Sequence, residues 1–312
     1  MTTALSVSTP APLAHAGAVA NAYASADVFD DYRRRKSANT RRRHDADLAA
    51  FAAYLGAAGI DAEAERLTTD ASAWAGLTWG LVAGYRRWLL AEGYAVTTVN
   101  QRLSTVRVYA RLAHQAGVID VAEQSRIAGV TGYAHHEARR LDEDRPAARR
   151  GAKKAEAVLL TLDQARRLKR DGLARDRLMM CLLLDHGLRV GEVALLTAAN
   201  SDGAELVFYR PKVDVTTRHT LSADTLAALD GAALPLGLGE RSITRRVAVL
   251  GAGIGVEDLS AHDCRHYCAT NLARSGTSID AMLTFFGWSS ASTAMRYIER
   301  QANASAGVKQ TF

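Results

Sequence analysis

The chain has 312 residues, long enough for two domains that each bury a hydrophobic core. Hydrophobic residues make up 48% and charged residues 23% of the sequence, which excludes a disordered or fibrous protein. The formal net charge of +6 suits a polyanionic partner, although charge alone decides little. The longest purely apolar run, residues 178–184, is far shorter than the roughly 18 residues that span a bilayer, so no membrane anchor is predicted.

The amino-terminal part of the chain carries helical patterns only. Residues 1–24 are alanine-rich, with no basic start and no sustained apolar core, so we predict a flexible leader rather than a signal peptide. From residue 25 to 129, apolar residues recur at three- and four-residue spacing, which predicts a helical bundle. Residues that cap helices well mark where its helices begin: Ser37 or Asn39, Thr78, and Thr97 or Thr98.

Basic residues crowd two short stretches of the chain, 33–43 and 139–154. Such clusters either form solvated surfaces or contact a phosphate backbone. The second cluster lies within residues 130–155, where the helical spacing stops and Gly132, Pro146 and Gly151 occur. This segment is therefore predicted to be an extended linker.

The second domain, predicted over residues 156–312, combines helices with one hairpin, so the whole chain is expected to be mostly α. Thr161 has the pattern of a capping box that opens the first helix. Gly187 suits the positive φ that ends a buried helix, which places Arg189 in a tight turn between helices. Lys212 lies between the two predicted strands. The predicted strands are 205–209 and 217–221, and the later helices are 243–250, 262–275, 279–286 and 291–300.

The cysteines are Cys181, Cys264 and Cys268, and they form no C-x-x-C pair. A disulfide framework is therefore not predicted, and a reducing cytoplasm fits best. His262, Cys264, His266 and Cys268 alternate, a pattern that suggests zinc at first sight. On a helix each residue turns by about 100°, so the histidines face one side and the cysteines nearly the other. We expect no metal at these residues.

Four features then occur in order: Gly187-Leu188-Arg189-Val190-Gly191-Glu192, the hairpin Lys212, His262-Asp263-Cys264-Arg265-His266, and Tyr297. This order resembles the tyrosine recombinase, or phage integrase, family. The resemblance extends over nearly everything from residue 25 onward, because residues 37–40 and 97–100 also resemble the core-binding domain of that family. A single motif of this kind is common by chance, whereas all of them in order are highly specific.

The resemblance implies DNA cleavage through a covalent bond between Tyr297 and a 3′ phosphate, and the residue types fit that chemistry. Attack on a phosphodiester builds negative charge on its non-bridging oxygens, which the forked guanidiniums of Arg189 and Arg265 match. His262 precedes Arg265 by three residues, so one helix face directs both at the same group. In isolation, a packed or capping histidine and a surface tyrosine are the ordinary interpretations of His262 and Tyr297.

Three further residues take roles from the resemblance. Lys212 is expected to protonate the departing 5′ oxygen, although this hairpin lacks the usual glycine-containing turn of the family. Trp288 stands where most of the family carries a second histidine, and its indole donates but cannot shuttle a proton, which leaves phosphate contact or packing. Glu192 is expected to orient Arg189 rather than to touch DNA. Arg210 is too basic to replace Lys212 as a proton donor.

The resemblance also implies an overall organisation. A helical core-binding bundle at residues 25–129 and a catalytic domain with a small antiparallel sheet at residues 156–312 would clamp duplex DNA. A homo-tetramer would act on two recognition sites through a Holliday junction, with residues 308–312 available for exchange between subunits. The resemblance implies no metal, nucleotide or other cofactor, and a cytoplasmic, nucleoid-associated location.

Other functions stay open at this point. A type IB topoisomerase or a telomere-resolving enzyme shares the chemistry but lacks a recombination partner site. A DNA-binding architectural protein on a recombinase scaffold is favoured only if Arg189, His262, Arg265 or Tyr297 is missing, and none is. A metal-dependent nuclease fits poorly, because the motifs contain no acidic cluster suited to Mg²⁺.

Overall fold

The computed structural model of the chain describes residues 12–134, 136–137, 140–141, 150 and 158–298. By its internal contacts the chain divides into two compact units, Met1–Lys153 and Lys154–Phe312. Helices dominate both units, and one two-stranded antiparallel hairpin is the sheet structure of the described residues. The predicted mostly α fold with a small antiparallel sheet is confirmed. None of the described helices is both long and apolar enough to cross a membrane.

The first unit is a bundle of helices. They are α1 (Pro12–Ala26), α2 (Val28–Arg34), α3 (Ala38–Ala57), α4 (Ala64–Thr69), α5 (Trp79–Ala91), α6 (Val96–Gln115) and α7 (Val121–Gly129), with a 3-10 turn at Ala71–Trp74. The side chains of Ser37, Thr78 and Asp120 accept hydrogen bonds from first-turn amides and so fix the starts of α3, α5 and α7. Helix α6 begins at Val96, one residue before the earlier of its predicted starts.

Two predicted segments fall partly outside the described residues. Of the predicted leader, residues 1–11 are outside, whereas α1 begins at Pro12 and buries none of its side chains, so regular structure starts inside the predicted leader. Most of the predicted linker, residues 130–155, is outside as well, and so are residues 308–312.

Aromatic rings form the centre of the first unit. Phe51 stacks on Trp74 with ring centroids 5.8 Å apart and meets the edge of Tyr85 at 4.9 Å. The indole of Trp74 donates to the backbone oxygen of Leu67 at 3.0 Å, so its one polar group is satisfied inside the core. These large rings bury apolar area that a bundle of short helices needs for stability.

The second unit holds the remaining elements. They are α8 (Leu162–Arg170), α9 (Ala174–Leu184), α10 (Val190–Leu195), β1 (Glu205–Arg210), β2 (Val215–Thr220), α11 (Ala223–Leu229), α12 (Glu240–Gly253), α13 (Ala261–Arg274), α14 (Ile279–Phe286) and α15 (Ala291–Ala294), with a 3-10 turn at Ala198–Asn200. Helix α9 is the centre of this unit, since every residue from Leu178 to Leu184 is buried. It packs against α8, α11 and α13, and this packing positions the turn that follows α9.

The hairpin gives β1 one buried face. In the register, Leu206 pairs with His219 and Phe208 with Thr217. Because alternate residues of a strand share a face, Arg210 lies on the same side as Leu206 and Phe208. A charged side chain therefore points to the interior at the end of this strand.

The last described helix is shorter than predicted. Helix α15 ends at Ala294, whereas the apolar spacing predicts a helix over residues 291–300, of which 299 and 300 lie outside the described residues. Residues 295–297 form a turn in which the Tyr297 amide donates to the Ala294 oxygen at 3.0 Å. Side-chain packing, described below, holds Tyr297 in this turn.

Candidate active site

The turn between α9 and α10 holds Arg189 in place. Gly187 has φ 58°, and a Cβ atom on it would come within 2.5 Å of the Phe286 ring, so the position requires glycine. Arg189 is the N-cap of α10. The Glu192 carboxylate accepts from the Arg189 amide at 2.8 Å and from its guanidinium Nη1 at 2.7 Å. The side chain of Arg189 is 27% exposed, so it is fixed on one side and open on the other.

Arg210 reaches the same carboxylate from the core. Its Nη1 donates to Glu192 Oε2 at 3.0 Å, and its Nε donates to the hydroxyl of Thr217 at 2.8 Å. Its Nη2 donates to the backbone oxygen of Phe285 at 2.7 Å. Glu192 therefore joins a half-exposed guanidinium to a buried one.

Arg265 lies on α13, whose start is fixed by a capping box between Ser260 and Asp263. Its Nη2 donates to the Phe286 oxygen at 2.9 Å, and its Nη1 donates to the Gly187 oxygen. Burial, together with the nearby positive charges of Arg189 and Arg210, lowers the pKa of Arg265 to about 9. Three guanidiniums close enough to act on one another create a strongly positive site, as an anionic substrate requires.

Tyr297 lies between two other aromatic side chains. Its ring is nearly parallel to Trp288, at 4° and 5.3 Å between centroids, and it meets His266 at 5.3 Å. His266 in turn meets the exposed His262 edge to face at 4.5 Å. Burial raises the pKa of Tyr297, while the charges of Arg265 and Arg296 oppose that rise. The phenol is therefore protonated at neutral pH until a bound substrate or base assists it.

Trp288 connects this aromatic group to the arginines. The Arg265 guanidinium lies 5.7 Å from the Trp288 ring centroid and 4.8 Å from that of Phe286. Phe286 and Trp288 are themselves stacked at 4.4 Å. Tyr297, Trp288 and Arg265 thus form one continuous set of contacts.

Lys212 lies apart from this set, on the exposed turn between the strands. The turn is tight, because the amides of Val213 and Asp214 both donate to the Arg210 oxygen, at 3.1 and 2.9 Å. The exposed side chain of Lys212 therefore lies two residues after Arg210, whose backbone oxygen closes the turn. Such a placement suits a proton donor that approaches bound substrate.

The structure places the predicted site residues as follows. Lys212 lies on the nearby hairpin. Contacts and charge interactions link the other six predicted residues, which are Arg189, Glu192, His262, Arg265, Trp288 and Tyr297. Two residues gain importance that sequence reasoning did not give them. From the sequence alone, Arg210 is considered only as a proton donor and His266 only as part of the alternating pattern that suggests zinc. The sequence contained a signal for each, since Arg210 alternates with Leu206 and Phe208, and His266 follows His262 by four residues on one helix face.

The alternating cysteines and histidines do not form a metal site. Cys264 and Cys268 are buried, and among the described residues no group of three or more His, Cys, Asp or Glu side chains is arranged to hold a metal. Burial raises the pKa of the Cys268 thiol to about 12, so this side chain behaves as an apolar group.

Known proteins resemble this chain in sequence and in fold. Residues 238–304 match the phage integrase family, a stretch that contains His262, Arg265, Trp288 and Tyr297. The tyrosine recombinase XerC of Mycobacterium tuberculosis (strain ATCC 25177 / H37Ra) is 29% identical over 314 residues, covering 87% of this chain and 92% of XerC.

Two structures of lambda integrase share the fold. A dimer bound to a COC′ core site matches with a TM-score of 0.62 at 16% identity, over 91% of this chain and 99% of that one. A tetramer bound to a Holliday junction matches with a TM-score of 0.60 at 16% identity, over 97% of this chain and 85% of that one. Together with the ordered motifs, these matches make the chain similar to the tyrosine recombinases, with the match to the phage integrase family lying over residues 238–304.

Proposed function

We propose that this protein is a site-specific DNA recombinase that cleaves and rejoins DNA through a 3′-phosphotyrosyl bond at Tyr297. The observation that carries the proposal is the continuous contact from Tyr297 through Trp288 to Arg265, with the charge of Arg189 acting on Arg265. A nucleophile and two cationic forks in one site are what phosphodiester attack requires. The names of the similar proteins, recombinase and integrase, support the same activity.

The proposed reaction has a simple balance of bonds and protons. The Tyr297 oxygen attacks phosphorus, the bond to the 5′ oxygen breaks, and the proton of the phenol passes towards His262 or water. Arg189 and Arg265 neutralise the charge that builds on the non-bridging oxygens, and Trp288 supports Arg265 and Tyr297 by stacking. Lys212 donates the proton that the departing 5′ oxygen takes up. A new 5′ hydroxyl reverses every step, so the bond energy is conserved and no cofactor is needed.

We also propose how the chain is organised for this reaction. Residues 25–129 form a core-binding domain, residues 156–312 form the catalytic domain, and residues 130–155 link them. The protein acts as a homo-tetramer on two recognition sites, in the cytoplasm and associated with the nucleoid. The similarity of fold to a lambda integrase tetramer on a Holliday junction supports the tetramer.

The test uses a duplex with a nick close to the cleavage position, which lets the short product strand diffuse away and traps the covalent complex. We expect wild-type protein to form a covalent protein–DNA adduct in EDTA, and Tyr297→Phe to form none. The matched control is Tyr23→Phe, which removes the hydroxyl of an exposed tyrosine on α1. An adduct that persists in Tyr297→Phe would contradict the proposal.

A second assay separates the alternatives with the same chemistry. We expect two supercoiled plasmids that carry recognition sites to yield recombinant products. Relaxation without recombinants would favour a topoisomerase, and closed hairpin ends would favour a telomere-resolving enzyme. Tight DNA binding without any adduct would favour an architectural protein.

A further inference from the structure

Arg210 is the most buried charged side chain connected to the site. Its side chain is 0% exposed, compared with 2% for Glu192 and 27% for Arg189. This gradient runs from the core to the surface, so Arg189 can meet a phosphate while Arg210 cannot. Burying an ion pair costs desolvation energy that apolar residues of the same volume would avoid. The three hydrogen bonds of the Arg210 guanidinium offset part of that cost and hold the side chain in one position.

Glu192 transmits the position of Arg210 to Arg189. Its Oε2 accepts from both the Arg189 amide and Arg210 Nη1, and its Oε1 accepts from Arg189 Nη1. Without Arg210, this buried carboxylate would lose its interior partner and be free to turn about its terminal bond. The guanidinium of Arg189 would then lose the fixed hydrogen-bond acceptor that orients it.

Arg210 also holds the end of α14. The last carbonyls of a helix lack partners within the helix and carry partial negative charge. Arg210 Nη2 binds the Phe285 oxygen at 2.7 Å, next to the Phe286 oxygen that binds Arg265 at 2.9 Å. Two guanidiniums thus share the end of one helix.

The residue after that helix shows how closely the parts are packed. Gly287 has φ 60°, and a Cβ atom on it would come within 2.8 Å of Arg210 Cδ and 3.4 Å of Val213. Glycine therefore lets the turn before Trp288 lie directly on Arg210 and on the hairpin turn. The main chain of Arg210 closes the same hairpin turn, which carries Lys212.

We propose that Arg210 is a positioning residue for DNA cleavage, which fixes Glu192 and through it Arg189, and which ties the Lys212 turn to the end of α14. This inference rests on the proposed function, because it assigns Arg210 a part in the same cleavage step. Arg210 acts through its neighbours and does not touch DNA.

The first experiment compares Arg210→Met with Arg218→Met in single-turnover cleavage of the nicked duplex at saturating DNA. Arg218 is a matched control, since it lies on the same hairpin, is exposed and pairs with Glu205. We expect Arg210→Met to slow cleavage by about 100-fold with DNA affinity within about 3-fold of wild type. Arg218→Met should cleave within about 3-fold of wild type. Equal rates for wild type and Arg210→Met would overturn the proposal.

The second experiment distinguishes positioning of Arg189 from a general structural role. A methylphosphonate at the scissile position lacks the negative charge that Arg189 neutralises. Arg189→Met should therefore slow cleavage of the methylphosphonate substrate by a smaller factor than cleavage of the phosphate substrate. If Arg210 acts through Arg189, the loss of cleavage rate in Arg210→Met is also smaller on the methylphosphonate substrate, by a similar factor. A cost that is the same on both substrates would show a merely structural role and overturn the proposal.

Arg210→Lys covers the case in which the methionine variant does not fold. Lysine keeps the charge but cannot make the three separate hydrogen bonds of the guanidinium. We expect a smaller loss of rate with the same dependence on substrate charge, and full activity would contradict the proposal. Failure of wild-type protein to form any adduct would instead reject the proposed function.

Discussion

The two units of the molecule use arginine in opposite ways. In the first unit, Arg150 is exposed and lies over the ring of Tyr94 at 4.9 Å, and the basic side chains at the start of α3 are exposed. In the second unit, Arg210 and Arg265 are buried and bind backbone carbonyls. Exposed guanidiniums attract anions through solvent, and salt screens that attraction. Buried guanidiniums are held in one position and interact only with a group that binds there.

This difference separates binding from chemistry. A surface arginine can follow a phosphate backbone without a fixed geometry, because any of several phosphates satisfies it. A buried arginine has already lost its freedom and its water during folding, so little reorganisation remains when the transition state forms. We therefore expect changes in the second unit to alter the cleavage rate, and changes in the first unit to alter affinity.

The largest effect should come from Arg265→Lys. Lysine cannot reach the Gly187 and Phe286 oxygens and a phosphate together, so the cleavage rate should fall by about 1,000-fold while DNA affinity stays nearly constant. Single-turnover cleavage and a binding titration measure the two quantities. Arg246→Lys is the control, because Arg246 pairs with Asp176 outside the site. A loss of affinity in proportion to the loss of rate would remove the distinction between the units.

Glu192→Gln should have the next effect. The amide keeps the shape of the side chain but loses the charge that holds Arg189 and Arg210, so cleavage should slow by about 10- to 100-fold. Glu205→Gln, which breaks the exposed pair with Arg218, should leave the rate unchanged. Equal effects of the two substitutions on single-turnover cleavage would show that burial of an ion pair does not determine its effect on the cleavage rate.

Buried histidines near the site predict a dependence of stability on pH. Burial lowers the pKa of His219 to about 3 and that of His186 to about 4. Because these values lie below the ordinary value of about 6.5, the unfolded state takes up protons first, and stability is lost as the pH falls from 6.5 towards the folded values. Each histidine should cost about 2 kcal/mol of unfolding free energy between pH 7 and pH 5.

Urea unfolding at pH 7 and pH 5 checks this. His219→Gln should lose less stability between the two pH values than wild type, since one titrating group is gone. An unchanged pH dependence in His219→Gln would mean that this histidine is not held neutral by the core.

The smallest effect should come from single exposed arginines of the first unit. Arg41 is exposed on α3, and Arg41→Gln should weaken DNA binding by about 3- to 10-fold and lower the salt slope by about 1. Cleavage at saturating DNA should not change. Arg126→Gln, an exposed change on α7 beside Glu123, is the control. The same salt slope for Arg41→Gln and wild type would make this face a solvated surface without a role in binding.

Much of the second unit could be predicted from local sequence signals. The bounds of α14 agree with the prediction, and the observed capping residues Ser278 and Gly287 explain why. The hairpin and the Gly187 turn were also predictable, because alternation and positive φ are local properties. The order of the motifs supplied the site residues through resemblance.

The rest depends on tertiary packing. The apolar spacing extends the last helix through residue 300, yet α15 ends at Ala294 and Tyr297 stacks on Trp288 from a turn. The buried position of Arg210 was missed because a charged residue at a strand end is usually exposed. Its alternation with Leu206 and Phe208 was the signal that favoured burial.

The central claim is that Tyr297 forms the bond to DNA at a site where Arg189 and Arg265 act together. A nuclease trims the trapped DNA to the nucleotide that is bonded to the protein, and trypsin cuts after Arg296 and Arg300, so the two digestions together isolate residues 297–300 as a peptide with that 3′ nucleotide attached. We predict that mass spectrometry finds the nucleotide on Tyr297, and that Arg189→Met and Arg265→Lys each reduce its yield sharply. A nucleotide on a different residue, or an undiminished yield in both arginine variants, would contradict the account.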